Sequence, residues 1–224
     1  VVADRTATRE WPAFIGPTDP IAHRTAPDRM QQAADPSQYL APPATLFDDR
    51  YTIDLDGLEV QLIHVGPCQW SGDMIVHVPR EGVVFAGDVV YRECTPMGWQ
   101  GSGEKWLQSL DLIVWLDPEV IVPGHGRPCG IEGAMEMKAY LEYVHDESRR
   151  CFARGLNAVE AAKQIELGPY RAWRCPARLV ANVESAYREF RDEAADAANA
   201  PWDAARTFNA MYEVANARGL AIEF

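Results

Sequence analysis

Apolar and polar positions alternate in two stretches of the first half of the chain. "YTIDLDGLEVQLIHV" (51–65) holds two β-rich runs on either side of Asp56-Gly57, a pair that favours a hairpin turn. "DMIVHVPREGVVFAGD" (73–88) repeats the scheme around Arg80-Glu81-Gly82. The period then changes. In "EKWLQSLDLIVWL" (104–116), Trp106, Leu107, Leu110, Ile113 and Val114 recur at helical spacing, and Asp117-Pro118 ends the run. "EVIVPGHG" (119–126) reads as a short buried strand leading into a glycine-bounded histidine. From about Ile131 the pattern predicts helices over 131–154, 158–166, 177–198 and 203–218, with breaks at Gly155, Gly168-Pro169 and Pro201. Met135, Met137, Tyr140, Leu141 and Val144 form an apolar stripe that predicts core packing. Prolines at 12, 17, 20, 27, 36, 42 and 43 predict irregular structure over residues 1–50. Strands, a helix, a strand and then helices make an α/β chain.

Composition narrows the function classes. The chain has 224 residues, 47% of them hydrophobic, enough for one sizeable core or two small domains. With 21 Lys+Arg against 33 Asp+Glu, its formal charge of -12 argues against a nucleic-acid partner. No apolar run approaches the roughly 20 residues that cross a bilayer, so no membrane partner is expected. The five cysteines (Cys68, Cys94, Cys129, Cys151, Cys175) are odd in number and lack C-x-x-C spacing. They predict reduced thiols in a soluble, cytoplasmic protein rather than a disulfide or zinc framework.

Polar residues gather at three strand ends or loops: "GPCQWSGD" (66–73), "AGD" (86–88) and "PGHG" (123–126). Loops at one sheet edge are where sheet proteins build sites. Asp88 after a glycine reads as an ordinary turn residue or as a carboxylate presented to a site. His125 between glycines projects as a ligand or an acid/base group should, unless its loop is simply exposed. His64 and His77 lie within strand patterns and read as structural; His23 and His145 read as surface or helix histidines.

In order and spacing, "GPCQWSGDMIVHVPREGVVFAGDVVY", "TPMGW", the helix after it and "DPEVIVPGHG" resemble the metallo-β-lactamase-fold hydrolases. The likeness spans roughly residues 1 to 190. It implies an αββα sandwich over 1–130, lacking its N-terminal strands, and a helical C-terminal extension over 131–224 packed on the same domain. Such helices cover the pocket mouth or build a dimer interface in one branch of the family. Active members hold one or two metal ions, usually zinc, on an H-x-H-x-D-H loop, a histidine in G-P-x-H-T-x-G-D, a bridging aspartate at G-D and a histidine at G-H-G. Asp88 matches the bridging aspartate and His125 the final histidine.

The other ligand positions depart from the family. Its middle histidine falls on Gln69, a poor metal ligand. In "VVADRTATREW" the first loop's ligands become Asp4, Thr6, Thr8 and Arg9. A guanidinium cannot coordinate a cation, and Arg9 is placed to pair with Asp88 or Asp4 instead. The family's sheets also begin several strands before this loop. That difference predicts a companion chain or a missing N-terminal segment to cover the strands' edges and apolar face, with a homo-oligomer as another possibility.

Three functional readings follow from the resemblance and these departures. The first is a metal-independent enzyme acting on a small molecule by cyclase, lyase or ester/thioester hydrolase chemistry. His125 and Asp88 would be catalytic, and Arg9, Gln69, Asp4 and Trp99 would bind substrate. No cofactor is expected in this case. The second is a non-catalytic binding or stabilising subunit. The third is an atypical hydrolase holding one zinc or iron ion on Asp4, Asp88 and His125. Cys68 beside Gln69 is a further candidate nucleophile, if His125 lowers its pKa.

Overall fold

The computed structural model describes residues 21–24, 45–70, 72–98, 101–191 and 203–221. Five strands form a mixed sheet in the order β3 (Arg50–Leu55), β4 (Leu58–His64), β5 (Met74–Val78), β6 (Val83–Tyr91), β7 (Val120–His125). The first three junctions are antiparallel and β6 runs parallel to β7. The hairpin between β3 and β4 turns at Asp56 and Gly57, both with positive φ, as a primed two-residue turn requires. The parallel junction needs a crossover, and α1 (Gly103–Trp115) supplies it.

Within the stretch read as irregular, two short strands pair in parallel: β1 (Ile21–His23) and β2 (Thr45–Phe47). His23 belongs to β1 and is buried, so its reading as a surface residue is corrected. Its ring stacks on His64 of β4 with centroids 3.6 Å apart and planes 7° from parallel.

Strand alternation sorts the sheet's two faces. Ile63, Ile75, Val84, Ala86 and Ile121 pack with Trp106, Leu110 and Ile113 of α1 and with Ala134 and Met137 of α2 (Ile131–Ala153). The opposite face carries the row Leu62, Val76, Phe85 and Val122, aligned across four strands, with Phe85 47% exposed.

A second core lies under the C-terminal helices. Tyr140 and Val144 of α2 join Ala161 and Ala162 of α3 (Ala158–Gln164), Leu179, Val183 and Tyr187 of α4 (Leu179–Phe190), and Met211 and Val214 of α5 (Ala204–Arg218). Helix α2 therefore touches both cores, the sheet through Met137 and the helices through Tyr140. Its stripe is narrower than its composition suggests. Met135 is 57% exposed and faces away from both cores, a correction to its reading as a core residue. No described helix is long and apolar enough to cross a membrane.

Candidate functional site

The parallel pairing of β6 with β7 brings Asp88 and His125 together. The register runs regularly to Phe85↔Val122, then shifts between Phe85 and Gly87 and again before Tyr91↔His125. Gly87 has φ +52 at this irregularity. A bulge with a left-handed glycine re-aims the next side chain, and here that side chain is Asp88. Across the ladder, a β-carbon on Gly124 would overlap the Asp88 carboxylate and the backbone of Gly87 and Asp88. The two glycines thus let the strands close up. His125 Nε2 lies 3.4 Å from Asp88 Oδ1, and both side chains are a little over one-third exposed.

Beneath this half-open pair sits a sealed support. The Tyr91 ring stacks on the His125 imidazole with centroids 4.7 Å apart and planes 10° from parallel, which sets the ring's orientation. The Tyr91 hydroxyl accepts a hydrogen bond from Gln69 Nε2 at 2.9 Å. Burial, and then the charge of Asp88, push that hydroxyl far above the usual phenol range, so it stays protonated. Trp106 packs edge-on against Tyr91 and donates its indole N–H to the Val89 carbonyl at 2.9 Å.

Gln69 is 5% exposed and enters from the loop after β4. Its Oε1 is buried and accepts no hydrogen bond from the described residues. The loop is held by Asp73, whose Oδ2 accepts the backbone N–H groups of Gln69 at 2.6 Å and Trp70 at 2.7 Å. Burial pushes the Asp73 carboxyl up to about 6, against these N–H groups that favour its charge; the charge of Asp88 pushes it further up. Asp73, which holds this loop in place, is a neighbour that pattern reading missed. Its one signal was its place as the last residue of the loop motif, just before a strand.

Cys68 is fully buried. Its thiol contacts Ser109 Oγ at 3.1 Å and the Val65 carbonyl at 3.4 Å, and burial pushes it up to about 12. A nucleophile needs an accessible thiolate at ordinary pH, so the nucleophile reading of Cys68 is corrected.

The C-terminal helices pack on the segment that follows Tyr91, where the resemblance implied helices over the pocket mouth or at a dimer interface. The segment after Tyr91 pairs with the chain before α4: Thr95 N–H donates to the Arg174 carbonyl at 2.9 Å, and Arg174 N–H to the Glu93 carbonyl at 3.0 Å. Asn182 of α4 accepts the Gly98 N–H at 3.0 Å and donates to the Pro96 carbonyl and the Tyr140 hydroxyl, each at 3.0 Å. Arg178 donates to the Thr95 carbonyl at 3.2 Å.

Of the residues singled out from sequence, Asp88, His125 and Gln69 thus converge around Tyr91. Asp4, Arg9 and Trp99 lie outside the described residues, as do Thr6 and Thr8. A zinc centre needs three or four N, O or S donors in close geometry. The site offers Asp88 and His125, while Gln69 Nε2 is engaged with Tyr91, leaving only the weakly ligating amide Oε1, and Asp73 Oδ2 holds backbone N–H groups. Among the described residues no three His, Cys, Asp or Glu side chains gather as a ligand group. Asp88 and His125 are thus two donors of such a centre, and the first-loop positions Asp4, Thr6, Thr8 and Arg9 lie outside the described residues.

Comparison with known proteins agrees with this architecture. The chain is 27% identical over 179 residues to a linear primary-alkylsulfatase from Pseudomonas sp. (strain ATCC 19151), covering 75% of this chain and 31% of that protein. It is 27% identical over 109 residues to a metallo-beta-lactamase type 2 from Bacteroides fragilis, covering 46% of this chain and 44% of the relative. The chain thus spans less than half the length of either relative. Among solved structures, a metallo-beta-lactamase family protein from Thermus thermophilus superposes with TM-score 0.53 at 19% identity, covering 85% of this chain and 60% of the other. A stereoselective inverting sec-alkylsulfatase from Pseudomonas sp. superposes with TM-score 0.55 at 16% identity, covering 67% and 27%. The family model of the metallo-beta-lactamase superfamily matches residues 7–125, ending at the site histidine, and the chain belongs to that superfamily.

Proposed function

We propose that this chain is a small-molecule enzyme that uses the superfamily's pocket without a metal, with Asp88 and His125 as its acid–base pair. The observation that carries this reading is the 3.4 Å approach of a half-open imidazole and carboxylate over a sealed Tyr91–Gln69 support. Open groups on a rigid base can meet a substrate without reorganising. Two relatives named above, an alkylsulfatase and a metallo-beta-lactamase, are hydrolases by name, which supports hydrolysis first, with cyclase and lyase chemistry using the same pair.

In hydrolysis, the neutral His125 imidazole takes a proton from a water molecule as its oxygen adds to the acyl carbon. Asp88 stabilises the imidazolium that forms. The imidazolium then returns the proton to the departing alkoxide or thiolate as its bond to the acyl carbon breaks. Cyclase or lyase chemistry needs the same transfer, with a carbon acid as proton donor. The stacked Tyr91 ring keeps the imidazole in plane throughout. Arg9, Asp4 and Trp99 complete the substrate contacts in this proposal.

The test is a panel of carboxylic esters, thioesters, linear primary alkyl sulfates and a β-lactam, assayed with the purified chain and its His125→Ala and Asp88→Asn variants. Elemental analysis accompanies it. The reading expects turnover of at least one substrate class, lost in both folded variants, without stoichiometric zinc or iron. No turnover by the unmodified chain favours a binding subunit. A tightly held metal in about one-to-one ratio favours a single-metal hydrolase on Asp4, Asp88 and His125.

A further inference from the structure

Arg178 ends the turn Pro176–Arg178 and caps the start of α4. It is only 9% exposed, a depth at which arginines are ordinarily paired. Arg92, at the end of β6, shows the ordinary arrangement, with Glu136 and Glu93 both on its guanidinium. Arg178 has no such partner among the described residues. Its hydrogen bonds run from Nη1 to the Thr95 carbonyl at 3.2 Å and to Cys94 Sγ at 3.7 Å. Its Nε is buried and donates to no described residue.

Neither acceptor balances the charge. The carbonyl is neutral, and burial together with neighbouring Cys175 pushes the Cys94 thiol up to about 11, so it is no thiolate counter-ion. A buried cation without an anion is strongly unfavourable, and an anion is what removes the penalty. The edge of a guanidinium formed by Nε and one terminal nitrogen is a fork that meets two oxygens of a carboxylate, sulfate or phosphate at once. On Arg178 the Nε side of that fork is unused by the described residues.

We propose that Arg178 is an oxyanion-binding residue, receiving a carboxylate, sulfate or phosphate group on the free edge of its guanidinium. This anion site does not depend on the enzymatic reading above. The group binds through Nε–H and a terminal N–H of the fork, while Nη1 keeps the segment 94–95 in place.

Titrations of sulfate, phosphate and acetate into the full chain, by calorimetry and thermal shift at ionic strength fixed with chloride, test this directly. At least one oxyanion binds and raises the melting temperature beyond the chloride control, and comparing sulfate and phosphate with acetate tells tetrahedral from planar preference. Arg178→Met weakens that binding by about tenfold or more, and Arg178→Lys, which keeps the charge without the fork, falls between. His125→Ala leaves the binding in place, so loss of turnover without loss of anion binding separates the two readings. Wild-type protein that treats all three oxyanions as it treats chloride overturns the proposal, as does an Arg178→Met variant that binds as well as wild type. Should Arg178→Met fail to fold, crystals of the unmodified chain soaked in selenate decide. An anomalous peak within hydrogen-bond reach of Arg178 is expected, and its absence there overturns the assignment.

Discussion

The α-carbon of Gly124 stands so close to the Asp88 carboxylate that a β-carbon at 124 would overlap it. The contact makes one glycine part of the Asp88–His125 geometry although it carries no side chain. Gly124→Ala must push Asp88 away from His125 or part β7 from β6. The expected loss is about 1–3 kcal/mol of stability, as for overpacking generally, read from the urea midpoint. Any activity dependent on the Asp88–His125 pair should fall further than stability does.

His125→Ala should leave a folded protein, since the imidazole is more than one-third exposed. Loss of a general acid–base group lowers turnover by about 10²–10⁴-fold. Circular dichroism and the assay panel check both halves of this expectation.

Asp73 gives a pH signature. Its folded-state value, pushed up to about 6 by burial, lies above the unfolded one, ordinarily near 4. The protonated carboxyl therefore contributes stability that is full below about pH 4 and lost as pH rises through about 6. Asp73→Asn removes this titration. Wild type should accordingly lose stability relative to Asp73→Asn between pH 4 and 6, measured by urea unfolding at fixed salt.

Asn182 ties α4 to the segment 96–98 and to Tyr140 with three hydrogen bonds. Asn182→Ala strands a backbone N–H, a carbonyl and a tyrosine hydroxyl. At about 1–3 kcal/mol for each unmet buried group, a destabilisation on the order of 3 kcal/mol is expected. Hydrogen exchange should show the Gly98 amide losing protection first.

Cys68 should be inert in the native state. A fully buried thiol pushed up to about 12 offers almost no thiolate at pH 8. Iodoacetamide followed by peptide mass mapping should find Cys68 unmodified until denaturant is added.

Strand and helix identity was legible along the chain because each element repeats its own apolar period. The Asp56-Gly57 hairpin, the helix read over 104–116 and the strand read over 119–126 all appear within a residue of where the pattern puts them. Asp88 and His125 were legible too, as polar residues that glycines release from strand ends. The short strands β1 and β2 were not, since three residues carry no period and their proline-rich surroundings argued the other way. Met135 misled because the stripe records which residues are apolar, whereas burial depends on where the two cores meet the helix.

What the sequence by itself determined is therefore local: the elements, the glycines and the polar side chains Asp88 and His125 at strand ends. Only the tertiary structure decided that Tyr91 stacks beneath His125, that Gln69 turns its amide to the Tyr91 hydroxyl, and that Arg178 and Asn182 meet Cys94 and Gly98, each 84 residues away along the chain. These are pairings between distant segments, set by how β6, β7 and α4 pack together. A hydrogen bond or a buried charge leaves no periodic trace in a sequence; its partner exists only once the chain has folded around it.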